Sequence, residues 1–238
     1  MNPVPRVSIL VLGPLLLAMP VTAQVGHPTN SSPYHDIRQG IAWEIMAGAI
    51  KGSGGPIPVG PRDGTMAGLR VLLRANNTLS LGLAAWGSQT ERTVLDPNVA
   101  PAQQVVGTRD AHLIGGELLV QFNLTGGKSW HGFAPFTGLG LGLARNTSGD
   151  KGDPGGYEFG SKFYFAPMIG ARFIASKHVY LRVEGRGFTW KVKYPFLYGV
   201  EPADAPGTAE SPNAINPSGR QGQYVLTPAL SVGIGISF

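Results

Sequence analysis

The 238-residue chain has no cysteine, 35 glycines and 20 prolines; only 14% of its residues are charged, and its formal net charge is +5. Without cysteine there is no disulfide framework, no thiolate metal site and no lipoprotein anchor. A mild positive charge without a Lys/Arg run gives no electrostatic footprint for nucleic acid.

Residues 1–23 read as a cleaved signal peptide. MNPVPR supplies a basic start through Arg6. VSILVLGPLLLAM is an apolar core of about a dozen residues, too short to span a bilayer comfortably. Val21-Thr22-Ala23 is a small-x-small site, which places cleavage before Gln24 and the rest of the chain outside the cytoplasm. Residues 24–40 (QVGHPTNSSPYHDIRQG) are polar and read as an unstructured periplasmic leader.

From residue 41 onward the apolar period is two, the signature of strands with two unlike faces. Eight runs follow. They are Ile41–Ile50, Thr65–Arg74, Thr78–Gln89, Ala111–Leu124, Trp130–Ala144, Phe159–Ile174, Val179–Trp190 and Gln223–Phe238. No helical period of useful length competes. Each run is about ten residues or more with bulky apolar side chains on one parity, the unit of a transmembrane β-barrel, and the even number suits closure. The fold class read from the sequence is therefore all-β: one closed antiparallel transmembrane barrel over residues 41–238.

The connections alternate in length. Ala75–Asn77, Thr125–Lys128 and Ala175–His178 are short turns, with residues that tolerate positive φ in the first two. Lys51–Gly64, Thr90–Asp110, Arg145–Glu158 and Tyr194–Gly222 are long and rich in Gly, Pro, Asp and Asn. Such barrels keep short turns in the periplasm and long loops outside. Near the short-turn ends the apolar parity carries Trp43, Phe122, Phe133, Phe173 and Phe238, a periplasmic aromatic girdle. Pro135, Pro167 and Pro228 fall inside runs. A closed barrel has no edge to accommodate them, so they are expected at bulges or in strand parts above the membrane.

The opposite parity faces the lumen. It carries Glu44, Arg70, Glu117, Arg172, Arg182, Glu184 and Arg186, with Gln121, Asn123, Tyr164 and Tyr180. The fifth and eighth runs offer mostly Gly and Ala there. An eight-stranded barrel is only wide enough for side chains to fill it. Enclosed charges must pair, so these residues are expected to form one polar network, read first as packing and second as a gate or anion site. No catalytic, cofactor or metal set is expected. His27 and His35 lie in the leader, His112 on the apolar parity, and His131 and His178 at turns. Asp150 and Asp153 in GDKGDPGG fail the EF-hand ligand spacing and read as turn residues.

The closing run QYVLTPALSVGIGISF carries Tyr224, Val232, Ile234, Ile236 and the terminal Phe238 on its apolar parity. This ending resembles the C-terminal assembly signal of bacterial outer-membrane barrels. With the signal peptide, the eight runs and the loop asymmetry, the chain resembles the small OmpA/OmpX-like barrel families over nearly all its mature length. The resemblance implies the outer membrane of a diderm bacterium as location. Its implied partners are outer-membrane lipid and, through the last strand, the barrel-assembly machinery. No peptidoglycan-binding domain is expected after the barrel.

These features point to a non-enzymatic barrel that acts as a scaffold or through its extracellular loops, with an unidentified loop partner. The alternative is a narrow transporter for small hydrophobic or anionic solutes, like the OmpW-type barrels. A lipid-modifying enzyme ranks third. A soluble lipocalin-like barrel would put its apolar face inside and its charges outside.

Overall fold

The computed structural model describes residues 32–37, 40–149 and 152–238. The expected signal peptide, most of the leader and Asp150 lie outside the described residues.

Eight long strands make the wall: β1 (Ile41–Ser53), β2 (Arg62–Arg74), β3 (Leu79–Leu95), β4 (Val105–Asn123), β5 (Phe133–Asn146), β6 (Ser161–Ile174), β7 (Val179–Lys193) and β8 (Gly222–Ser237). Each pairs antiparallel with its sequence neighbour. β8 returns to pair with β1, from Ala229↔Ile50 to Ser237↔Ala42, and closes the barrel.

The period-two pattern becomes an exterior and an interior. Trp43, Ile45, Leu69, Leu83, Leu118, Leu143, Ile169 and Ile234 are exposed on the wall. Their sequence neighbours Ala42, Glu44, Arg70, Ala84, Glu117, Ala144 and Met168 are buried. On β1 the outward apolar run extends from Ile41 to Ala49 and ends at Lys51. Eight rises of about 3.4 Å give about 27 Å along the strand. At a tilt of about 40° that is about 21 Å of height, close to the apolar band of about 25 Å on transmembrane barrels.

Four details differ from the sequence reading. First, the leader is not wholly unstructured: Tyr34–Asp36 forms a short strand paired with Lys128–Trp130. Second, β5 begins at Phe133 rather than Trp130. His131 (φ 47°) and Gly132 (φ 82°) turn the chain between the short strand and the wall. Third, most of 90–110 is strand, because β3 and β4 stay paired up to Leu95↔Val105. Thr90, Thr93, Val94, Val105, Val106 and Thr108 are β-branched and suit an extended hairpin.

Fourth, the prolines make no bulge. Register is unbroken from Phe133↔Phe173 to Arg145↔Ser161, through Pro135 and Pro167, and from Gly222↔Lys193 to Ile236↔Val179, through Pro228. Pro135 and Pro228 each sit one residue beyond the end of a ladder, at Asn123↔Phe136 and Ala229↔Ile50. Pro167 lies in a gap of the β6–β7 ladder between Phe165↔Thr189 and Met168↔Arg186. At Pro135 the carbonyl still accepts the Leu124 N–H at 3.0 Å, and a missing N–H at a ladder's end or in a gap leaves the register intact, so facing parity survives past all three.

Candidate functional site: a filled lumen under a folded cap

The lumen holds two layers. The lower is ionic. The Arg70 guanidinium on β2 donates to Glu44 on β1 at 2.9 Å and to Glu184 on β7 at 3.0 and 3.2 Å. Arg182 Nε donates to Glu184 at 2.9 Å and Arg182 Nη1 to Gln121 at 2.8 Å. Arg186 donates to Glu184 at 2.7 Å and to Glu117 on β4 at 2.5 Å. The Tyr180 hydroxyl donates to Glu44 at 2.7 Å. Six of the seven expected residues thus share one network, in which three carboxylates meet Arg70, Arg182 and Arg186. The seventh, Arg172, joins it through Asn123, whose side-chain oxygen accepts from Arg172 at 2.8 Å and from Gln121 at 2.8 Å, and it lies 5.7 Å from the Tyr180 ring centroid. Large side chains from some strands meet glycine from others. A Cβ on Gly235 would lie 2.2 Å from the Tyr180 ring.

Above the charges sits an aromatic layer. Trp86 on β3 packs on Tyr164 and Phe188 with ring centroids 5.9 and 4.9 Å apart, and Phe188 stacks on Trp190 at 5.6 Å. The layers are joined by hydrogen bonds. Trp86 Nε1–H donates to the Tyr164 hydroxyl at 2.7 Å, which donates to Glu117 at 3.1 Å. A buried tyrosine hydroxyl and indole N–H need such partners.

The long loops complete the filling. Val59, Tyr157 and Tyr198, from three different connections, are fully buried. Arg92 at the top of β3 reaches Asp153 in the β5–β6 loop at 2.6 Å, and both side chains are buried. Burial raises the Tyr198 and Tyr194 hydroxyls above their ordinary values. In the β7–β8 loop the Glu201 carboxylate accepts backbone N–H bonds from Gly207, Asn213 and Ala214 at 2.9, 3.0 and 3.3 Å. Those bonds, Gly207 first, hold it below the usual carboxylate range.

Trp43, Phe122 and Phe173 stand exposed on the outer wall with Phe133 half-buried among them, and the Phe133 and Phe173 ring centroids are 5.4 Å apart. Val232, Ile234, Ile236 and Phe238 line the outer face of β8. Tyr224 shares that face but stands at the opposite end, across from Lys191. The sequence reading missed the aromatic layer as a unit and the Arg92–Asp153 pair. Trp86, Phe188 and Trp190 lie on the inward parity of their runs, so parity could have found them. Among the described residues no three His, Cys, Asp or Glu side chains converge as metal ligands.

A closed antiparallel barrel with an apolar belt outside and paired charges inside is a small eight-stranded barrel of the outer-membrane type. No family model matches the chain, and no curated protein does. Among solved structures it is similar to the outer-membrane protein OprG of Pseudomonas aeruginosa, at 13% identity over 84% of this chain and 97% of that one, with a TM-score of 0.46. It is similar to the N-terminal β-barrel domain of Pseudomonas aeruginosa OprF, at 12% identity over 83% and 99%, with a TM-score of 0.38. Neisserial surface protein A matches at 14% identity over 87% and 98%, with a TM-score of 0.39. The fold assignment rests on this chain's own ladders and belt.

Proposed function

We propose that the protein is a non-enzymatic outer-membrane barrel with a plugged lumen, a rigid scaffold that presents its extracellular loops for interaction. The filled lumen carries this reading. Glu44, Arg70, Glu117, Arg182, Glu184 and Arg186 are all at most 5% exposed and bonded to one another across the barrel. Opening a path for ions would require separating paired charges in a poorly hydrated interior, at several kcal/mol per ion. The loops above are packed, and loops on a rigid wall are where binding concentrates. Outer-membrane lipid surrounds the belt, and the assembly machinery receives the last strand.

Planar-bilayer recording of the purified protein tests the reading. The expected result is no sustained conductance. A steady ion current would overturn the plug and support the narrow transporter. Protease treatment of intact cells is expected to cut in the Tyr194–Gly222 connection; cleavage only after lysis would reverse the topology.

A further inference from the structure

The outer wall is not uniformly bulky. Across β2, β3 and β4 the outward positions Ala67, Gly87 and Gly116 are small, flanked by Leu69 and Leu143, and the wall is hollowed there into an open groove of about 630 Å³. A second hollow of about 670 Å³ continues it toward β1 and shares Ala67, Gly87 and Ile114. The two glycines are not demanded by crowding. A Cβ would find its nearest neighbour 3.8 Å away at Gly87 and 3.9 Å away at Gly116, ordinary contact distances. Neither glycine has a left-handed backbone. A side chain would fit, and its absence leaves the groove open.

Arg145 stands at the groove's long-loop end. It lies opposite Ile114 on β4 and Ser161 on β6, next to the last residue of β5. It is exposed, lines the groove, and has no carboxylate partner among the described residues. Its level is the upper edge of the apolar belt, where lipid headgroups lie.

We propose that this groove binds one acyl lipid carrying a phosphate headgroup, in the leaflet on the long-loop side. The chain fills the apolar floor and the phosphate meets Arg145. The proposal rests on the transmembrane reading above. A lipid fits better than a second barrel. A convex barrel wall would touch the rim and leave the floor unfilled, and its apolar belt would offer Arg145 no counter-charge.

The test uses the full mature protein inserted into phosphatidylcholine nanodiscs, with insertion read by heat-modifiable gel migration. Diphosphoryl lipid A and its dephosphorylated form are added in equal amounts, and retained lipid is counted by native mass spectrometry. The parent is expected to retain the phosphorylated form about fivefold better, the effect of one cation of about 1 kcal/mol near a charged headgroup. Arg145→Gln is expected to bring that ratio to about one. The double substitution Gly87→Leu with Gly116→Leu is expected to lower retention of both forms while the barrel still inserts. Insertion with no phosphate preference in the parent, or a preference unchanged in Arg145→Gln, overturns the groove alone. Cross-linked dimers lost in the double variant, with lipid retention unchanged, would assign the groove to a second copy. Failure to insert overturns the transmembrane reading and the groove with it.

Discussion

The Glu184 carboxylate on β7 accepts two hydrogen bonds from Arg70 on β2, 114 positions earlier and with two strands between them. The same carboxylate takes Arg182 and Arg186 from its own strand. Alternation places 182, 184 and 186 on one face, and barrel closure brings Arg70 to meet them. Glu184→Gln keeps the shape but removes the charge that three guanidinium groups share. Breaking a buried pair costs about 3–5 kcal/mol because a charge is left without compensation. The variant is expected to insert, since its lipid-facing side is unchanged, and to unfold at lower urea concentration than the parent. An unchanged unfolding midpoint would refute the network's structural role.

The Tyr164 hydroxyl links the aromatic layer to the charges by hydrogen bonds, taking Trp86 Nε1–H and giving to Glu117. Tyr164→Phe keeps the ring packing and strands the indole donor. A buried unsatisfied group costs about 1–3 kcal/mol, so the expected loss is of that size. Combining it with Glu117→Gln should give less than the sum of the two single effects, as for any pair in one hydrogen-bond chain. Additive losses in equilibrium unfolding would show that the two layers are independent.

The barrel itself was legible because a two-faced wall writes its period into every strand. Glu44, Arg70, Glu117, Arg182 and Glu184 could be placed inside by parity alone. The strand ends were not legible, for a physical reason. Above the membrane the outer surface turns polar, as at Gln89, Glu91 and Asp110, so the apolar-outward pattern stops while pairing continues to Leu95↔Val105. Arg92 and Asp153 are joined by the path of a folded loop, and no periodicity encodes that path. The short strand Tyr34–Asp36 contains only three residues, below what alternation can reveal.

The Glu201 cage makes the β7–β8 loop sensitive to acid. Its carboxylate has a lowered pKa, chiefly through the Gly207 N–H, relative to an ordinary value of 4.5. A depressed carboxylate contributes order above its unfolded value, and that order is lost as pH falls through the folded value. The loop is therefore expected to hold its form above pH 4.5 and to loosen only as pH falls below that value, through the lowered one. Amide proton shifts of Gly207, Asn213 and Ala214 in micelles should titrate together with a midpoint under 4.5. In Glu201→Gln the common titration should vanish. A midpoint at or above the ordinary value would contradict the cage.

Phe238 sits at the seam of the barrel. Its N–H donates to the Ile41 carbonyl at 2.9 Å and its own carbonyl accepts from the Gly40 N–H at 2.8 Å, so the last residue is bonded to the start of the first wall strand. Its ring is 74% exposed on the outer face, where it packs little within the chain. Truncating it in Phe238→Ala leaves the seam bonds in place and should cost the inserted barrel at most about 2–3 kcal/mol, the transfer of the ring from water to the membrane. Its resemblance to the assembly signal gives a different expectation in cells: less protein reaching the outer membrane, with unfolded material in the periplasm. Measuring refolding in vitro beside membrane fractionation separates the two effects. Normal yield in the outer membrane would remove the assembly role. A large loss of stability in vitro would make Phe238 a structural residue of the seam.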